Sequence, residues 1–207
     1  MNQFQWPKKL VLGSSSSKRR ELMIQEGYFF DEETPNIDET NHQLEKQSFE
    51  DLVQWLAWQK AKKVALDRNN FNKEEATVIS ADTFCVFNNE MLGKPSDSCK
   101  AKEMLLKISK STHCVMTGVC ILNQINNDSI VFMDRSLVTF NEISTEAINK
   151  YIKTNIWKNK AGGYDYMDRY NAGWPISCVG DISTVQGLPM LRIKKILSFL
   201  NFFPTTK

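Results

Sequence analysis

The chain has 207 residues, of which 42% are hydrophobic and 24% charged, and this composition is typical of an ordinary globular protein. Its net charge of +2 is too small to attract nucleic acid or a membrane surface by bulk electrostatics. The five cysteines form no Cys-x-x-Cys pair and there are only two histidines, which argues against a zinc site of ordinary spacing. With no signal-peptide pattern or membrane-spanning run, we expect a cytoplasmic protein that binds neither nucleic acid nor membrane.

The first third of the chain predicts a strand, a helix, a second strand and a long helix. Residues 9–13 are apolar enough for a buried strand, and residues 17–27 have a helical pattern that ends at Gly27. Residues 28–30 predict the second strand. The long helix is the clearest element, because Ser48 is a good N-cap with Asp51 at the capping-box position.

The rest of the chain mixes strands and helices without strict alternation. The predicted strands cover residues 77–80, 84–87, 90–92, 113–123 and 129–140, the predicted helices cover 96–108, 144–154 and 191–202, and 180–190 is a predicted loop. This pattern predicts the α/β class, with a mixed β-sheet flanked by helices. At this length we expect one domain spanning 1–207, which could have two lobes.

A hydroxyl-rich, basic turn follows the first predicted strand. Residues 13–20 have the sequence Gly-Ser-Ser-Ser-Ser-Lys-Arg-Arg and lead directly into the first predicted helix. A helix N-terminus offers backbone N–H groups and a positive partial charge, so this turn predicts a phosphate-binding site.

Asp82 and Lys94 could act on such a phosphate. Asp82 follows a buried strand, and a carboxylate near a polyphosphate can bind a divalent cation or accept a proton from water. Lys94 lies in a tight Leu-Gly-Lys-Pro turn. Each has an ordinary alternative, since aspartate often caps a turn and most lysines are simply exposed.

Lys60 lies on the apolar stripe of the long helix, four residues after Leu56 and four before Val64. A lysine in that place must extend to solvent, pair with a carboxylate or meet an anionic ligand, because burying it unpaired is costly. Lys62 and Lys63 fall outside the stripe and are expected to be solvated.

Three further features left alternatives open. Glu39 ends an acidic loop that could be merely solvated. Residues 160–163, Lys-Ala-Gly-Gly, suit the close approach of backbone to a ligand but also suit an ordinary turn. The aromatic stretch 164–174 could stack on a base or pack in the core. His113, in an alternating strand, is interpreted as structural.

Taken in order, these motifs resemble the Maf family of nucleoside triphosphate pyrophosphatases. The matching segments are residues 10–22, 37–40, 60–61, 81–83, 92–95, 117–119, 160–164 and 187–189, and the likeness as a whole covers about residues 9–200. Each segment is a weak signal, whereas the ordered set is highly specific.

The resemblance implies an elongated two-lobed fold around a cleft, similar to that of inosine triphosphate pyrophosphatases, and a possible homodimer. It implies hydrolysis of a nucleoside triphosphate between the α and β phosphates with Mg²⁺ or Mn²⁺. It also implies roles for individual side chains. Asp82 would be the general base and, with Glu39, a metal ligand; Lys60 and Lys94 would be catalytic; Ser14, Lys18, Arg19, Thr83, Lys160 and Met167 would bind substrate.

The chain departs from the family pattern at three points, one of which is the segment 168–179 with Trp174. Ser17-Lys18 stands where the family usually has proline and arginine, so the charge is kept without the bidentate guanidinium. Met167 aligns with a glutamine that helps to select dTTP and UTP, whereas Thr83 matches that type. The base could therefore be thymine, uracil or a modified base. The alternative function is a non-catalytic nucleotide-binding regulator of cell division.

Overall fold

The computed structural model describes residues 5–37 and 48–205. Within them the chain forms seven strands, seven α-helices and one 3₁₀ turn at Ala161–Gly163. In chain order the elements are β1 (Lys9–Gly13), α1 (Ser17–Gln25), β2 (Asp31–Glu33), α2 (Phe49–Asn70), β3 (Ala76–Phe87), β4 (Glu90–Leu92), α3 (Ser98–Ile108), β5 (Ser111–Asn123), β6 (Ser129–Phe140), α4 (Thr145–Lys153), α5 (Tyr166–Asn171), β7 (Ile176–Val179), α6 (Ile182–Val185) and α7 (Met190–Phe199).

Side-chain caps start most of the helices where the sequence supplies a short polar residue. Ser48 accepts a hydrogen bond from the backbone N–H of Asp51 (3.1 Å) at the start of α2, as the capping-box pattern predicts. Ser16 and Ser144 cap α1 and α4 in the same way. The predicted long helix and its start are therefore confirmed.

All seven strands belong to one mixed sheet, in the order β2-β1-β3-β5-β6-β7, with β4 paired to β3. β1 pairs in parallel with β2 and β3, whereas β4 runs antiparallel to β3 and β7 antiparallel to β6. The turn between β3 and β4 uses Asn88 and Asn89, both with positive φ, which suits a tight hairpin. The α/β class and the mixed sheet with helices are thus confirmed.

The chain divides into two compact units. The first unit contains the residues up to Asp82, Thr117–Asp134 and the residues from Gly187 onward, and the second contains Thr83–Met116 and Arg135–Gln186. The predicted single domain with two lobes around a cleft stays a prediction.

The first unit has a hydrophobic core on each face of its part of the sheet. Alternate residues of β1 divide between them, so that Leu10 and Leu12 pack with α1 and α7 while Val11 packs with α2. The second unit has one core, in which α3 and α4 contribute Leu105, Ile148 and other buried side chains.

Three predicted elements differ from the structure. Residues 28–30 are not a strand, because α1 ends in a turn with Gly27 at positive φ and Phe29 is exposed; the strand is the polar β2. The predicted strands 77–80 and 84–87 are one continuous strand, β3. The predicted loop 180–190 contains the short helix α6.

Helix α2 approaches the sheet closely at Gly118 of β5. An added Cβ at Gly118 would lie within 3.0 Å of the Val53 carbonyl, a separation that real Cβ atoms essentially never show. The backbone of Val53 cannot rotate away as a side chain could, so α2 would have to move. We therefore expect Gly118→Ala to lower the free energy of unfolding by about 2 kcal/mol, measured by urea denaturation.

Gly93→Ala is the matched control, because an added Cβ there meets nothing within 4 Å. Its free energy of unfolding should stay near that of the parent chain. Equal stability of the Gly118 variant and the parent would show that α2 does not depend on this close approach.

No helix in the described ranges, 5–37 and 48–205, has the length and apolar character that crossing a membrane requires.

Candidate active site

In the first unit, Arg19 is fixed beside the hydroxyl-rich turn. Its Nε donates to the carbonyl oxygen of Gly187 (2.8 Å) and its Nη1 donates to Oγ of Ser14 (3.2 Å). Ser14 is buried and also accepts a hydrogen bond from the backbone N–H of Ser16 (3.2 Å). The guanidinium is therefore oriented before any ligand arrives, as an anion site requires.

The same turn forms the N-terminus of α1. Ser16 is the N-cap and accepts from the backbone N–H of Arg19, and no acidic residue occupies the first turn of the helix. Lys18 lies in that turn and pairs with Glu21 at 3.3 Å, a partly exposed i,i+3 pair. Backbone N–H groups, a helix dipole and two cations thus occur together, which is the chemistry that binds phosphate.

Lys60 and Asp82 form the most informative contact in the first unit. Nζ of Lys60 lies 2.6 Å from Oδ1 of Asp82, and their side chains are only 10% and 13% exposed. The prediction that Lys60 lies on the apolar stripe of α2 is confirmed, since Lys60, Leu56 and Val64 are all buried. Among the open alternatives for Lys60, the structure shows pairing with a carboxylate.

Strand register brings the two sets of residues to the same level of the sheet. β1 and β3 are parallel and Gly13, the last residue of β1, pairs with Ser80, so Ser14 and Asp82 both follow that point of pairing. Asp82 lies within β3, which continues to Phe87, so the prediction that it follows the end of a strand is wrong, although β1 ends at the same level. The hydroxyl-rich turn and the Lys60–Asp82 pair are therefore positioned by the same two strands.

In the second unit, the turn that carries Lys94 is tied to the segment that carries Lys160. The backbone N–H of Gly162 donates to the carbonyl of Gly93 (3.1 Å). Gly162 has a φ of 68°, so a side chain there would be strained. The exposed Lys94 forms no ion pair within the described parts of the chain. The structure thus brings these two sequence motifs together.

Lys160 contacts the short helix α5, which the sequence did not predict, and Met167 belongs to that helix. Nζ of Lys160 bonds Oδ2 of Asp168 at 2.7 Å, and Asp165 caps the helix by accepting from the backbone N–H of Asp168. Met167 is partly buried against the core of the second unit. Thr83 is half-buried on β3, directly after Asp82.

The aromatic stretch is mostly core. Tyr164 and Tyr166 are buried, and Oη of Tyr151 donates to the carbonyl of Gly163 (3.1 Å). The guanidinium of Arg169 lies 4.1 Å from the ring centroid of Tyr151 and 5.1 Å from that of Trp174. Core packing, one of the two alternatives, is what the structure shows for the two buried tyrosines.

His113 is structural, as predicted. It is 2% exposed, stacks on Phe140 and shares a 2.6 Å hydrogen bond with the hydroxyl of Tyr164. Burial lowers the pKa of His113 from 6.5 to about 4 and raises the pKa of Tyr164 well above its usual value. Both side chains are therefore neutral at pH 7.

The predicted metal ligands are only partly visible. Glu39 lies outside the described residues, and no group of three or more His, Cys, Asp or Glu side chains within those residues could hold a metal ion. Asp82 is one carboxylate. That donor set suits Mg²⁺, which usually keeps several waters and is held by one or two carboxylates together with substrate phosphates.

Two contacts of the candidate site are not predicted by the sequence. The carbonyl oxygen of Gly187 accepts a hydrogen bond from Arg19. The sequence marks Gly187-Leu188-Pro189 as a motif but does not indicate this contact. Asp168 holds Lys160, and the spacing of Asp165 and Asp168 is a capping pattern that could have indicated the helix.

Comparison with known proteins identifies the family to which this chain belongs. The family model described as Maf-like protein matches residues 9–200. The dTTP/UTP pyrophosphatase of Shouchella clausii is 36% identical over 194 residues, covering 94% of this chain and 96% of that protein. The proteins of the same name from Bacillus cytotoxicus and Symbiobacterium thermophilum are each 35% identical over 190 residues, covering 92% of this chain and 94% and 93% of theirs. With these relatives and this match over nearly its whole length, the chain belongs to the Maf family.

Proposed function

We propose that this chain is a hydrolase that cleaves a nucleoside triphosphate between the α and β phosphates and releases a monophosphate and pyrophosphate. The observation that carries the proposal is the largely buried Lys60–Asp82 pair, near the carboxyl end of β1, where the Ser14–Arg19 turn begins. The relatives named dTTP/UTP pyrophosphatase support the same reaction.

Asp82 accepts the proton of the attacking water while the water oxygen bonds to phosphorus and the bridging P–O bond breaks. The polyphosphate competes with Asp82 for the Lys60 ammonium, so substrate binding itself frees the carboxylate for this step. Arg19 and Lys94 hold phosphate oxygens and neutralise charge that develops on the leaving pyrophosphate. Positive charges fixed before the reaction need little reorganisation during it.

The remaining substrate contacts come from Ser14, Lys18, Thr83, Lys160 and Met167. Ser14 and the first-turn N–H groups of α1 bind phosphate oxygens, with Lys18 adding charge at the same helix end. Thr83, Lys160 and Met167 belong to the second unit and are proposed as further substrate contacts.

The cofactor we propose is Mg²⁺ or Mn²⁺, held by Asp82, Glu39 and the phosphates. When bound, such an ion supplies Lewis-acid polarisation of the phosphoryl oxygens.

The base we propose is thymine, uracil or a modified base. Relatives are named for dTTP and UTP, and Thr83 agrees with that type, whereas Met167 offers a thioether in place of an amide. A non-catalytic regulator is not favoured, because binding alone needs no buried Lys–Asp pair.

Pyrophosphate release tests the proposal. The purified chain is incubated with Mg²⁺ and then Mn²⁺, and with dTTP, UTP, CTP, GTP, 7-methyl-GTP and other modified triphosphates in turn. We expect turnover of one pyrimidine class above the rest. Folded protein that is stabilised thermally by nucleotide but releases no pyrophosphate would instead support the regulator.

A further inference from the structure

A buried hydroxyl lies two residues before Asp82 on β3 and has no hydrogen-bond partner among the described residues. Ser80 is fully buried, and its Oγ makes no hydrogen bond with any described residue. It precedes Asp82 by two positions on β3, so the two side chains share a face of the strand. That face packs against α2, as the burial of Val78 with Val64 shows.

A neighbouring glycine leaves room for this hydroxyl. Gly13 pairs with Ser80, and an added Cβ at Gly13 would lie closer than 3.0 Å to Oγ of Ser80. The same Cβ would lie 3.1 Å from Cγ2 of Val64, which is one helical turn after Lys60. Ser80 therefore fills the space between β1, β3 and α2, on the face of β3 that also carries Asp82.

An alanine at position 80 would fill nearly the same volume without an idle polar group. Burying a hydroxyl with no partner costs free energy, so such a group in a native structure requires an explanation, and a catalytic role is one. The cost is understandable if the hydroxyl gains a partner at another stage of the reaction.

We propose that Ser80 is a positioning residue for Asp82, a statement that rests on the proposed function of Asp82 as the base. When the polyphosphate draws Lys60 away, Asp82 loses the donor to its Oδ1. The Ser80 hydroxyl then donates to the carboxylate, directly or across one water, and keeps it aimed at the attacking water. Ser80 retains its proton throughout, and the proton of the attacking water goes to Asp82.

Residues two apart on a strand have Cα atoms roughly 6.6 Å apart, a span that a serine, an aspartate and one water can bridge. The ion pair engages Oδ1 of Asp82, which leaves Oδ2 for a second donor. The interaction therefore requires side-chain rotation only and no shift of β3.

The test is Ser80→Ala, assayed by pyrophosphate release and thermal unfolding. We expect kcat to fall about tenfold, because hydrogen bonds to charged groups contribute about that factor or more. KM should stay near the parent value, and Tm should be unchanged or higher, because a buried unpartnered hydroxyl has been removed. Lower kcat with undiminished stability is a combination that a merely structural serine would not produce.

Thr77→Val is the matched control. Thr77 is a buried hydroxyl residue on the same strand, but its Oγ1 donates to the carbonyl of Pro7 at 2.7 Å. This variant should lower Tm and leave kcat at the parent value. Gly13→Ala should lower Tm in the parent chain and less so in the Ser80→Ala chain, which lacks the opposing Oγ.

An unchanged kcat in Ser80→Ala would overturn this inference, and so would a fall in kcat accompanied by a fall in Tm like that of Thr77→Val. Asp82→Asn distinguishes a failure of the role of Ser80 from a failure of the proposed role of Asp82 as the base. If it abolishes turnover while Ser80→Ala does not lower kcat, only the role of Ser80 fails. If Asp82→Asn stays active, the assignment of the base fails as well.

Discussion

Replacement of Asp82 by asparagine should lower kcat for pyrophosphate release by about 10³-fold, within the range that general-base catalysis contributes. The amide keeps the shape of the carboxylate but cannot accept a proton from water at neutral pH. Measurement of initial rates at saturating nucleotide, with the parent chain alongside, is sufficient to detect the loss.

The variant should still fold and still bind nucleotide. Removing one side of a buried ion pair outright is strongly destabilising, because the other charge is left unpaired. Here the amide oxygen remains as an acceptor for Lys60, whose Nζ lies 2.6 Å from Oδ1 in the parent chain. Thermal stabilisation by nucleotide should therefore persist, and loss of the competing carboxylate could even strengthen the hold of Lys60 on phosphate.

Asp67→Asn is the matched control, because it makes the same change in another ion pair that involves a lysine of α2. Asp67 pairs with Lys63 at 2.6 Å, with both side chains about one-third exposed. Since exposed i,i+4 pairs contribute only about 0.3–0.5 kcal/mol, this variant should keep its stability. Its turnover should also match the parent. Full turnover in Asp82→Asn would rule out Asp82 as the base.

The sequence predicted well the elements whose pattern is local. Periodicity placed Lys60 on the buried stripe of α2, and Ser48 with Asp51 marked where the helix starts. It could not identify the partner of Lys60, because Asp82 is 22 residues away and only the packing of α2 on the sheet joins them. The same holds for Arg19 and the carbonyl of Gly187, which are 168 residues apart.

The errors have physical causes in tertiary contacts. Apolar residues 28–30 predicted a strand, yet the strand is Asp31–Glu33, which charged partners stabilise. Lys9 pairs with Asp31 at 2.8 Å, and the buried Arg68 pairs with Glu33. A polar edge strand of this kind has no hydrophobic periodicity to reveal it.

Acid should destabilise this chain in part through His113. His113 is 2% exposed in the second unit and has two neutral neighbours, the ring of Phe140 and the hydroxyl of Tyr164. No described carboxylate forms an ion pair or hydrogen bond with it. Desolvation therefore lowers the pKa of its imidazole to about 4, and no neighbouring charge offsets that effect.

The sign of the pH dependence follows from which state binds the proton first. In the unfolded chain His113 titrates near 6.5, whereas in the folded chain it stays neutral until about pH 4. The unfolded state therefore holds more protons between these values, and stability falls as pH falls through that window. The full contribution is present above about pH 6.5. Its loss by pH 4 amounts to about 3 kcal/mol, measured by urea denaturation at intervals between pH 7 and pH 4.

His113→Gln isolates this effect from the carboxylates that also titrate at the acid end. Glutamine can still bond the Tyr164 hydroxyl but does not ionise, so the variant should lack the loss that begins near pH 6.5. The difference in free energy of unfolding between parent and variant should therefore shrink or reverse as pH falls. If the free energies of unfolding of parent and variant stay parallel from pH 7 to pH 4, His113 is protonated equally in the folded and unfolded states. The description of His113 as a buried, neutral imidazole would then be wrong.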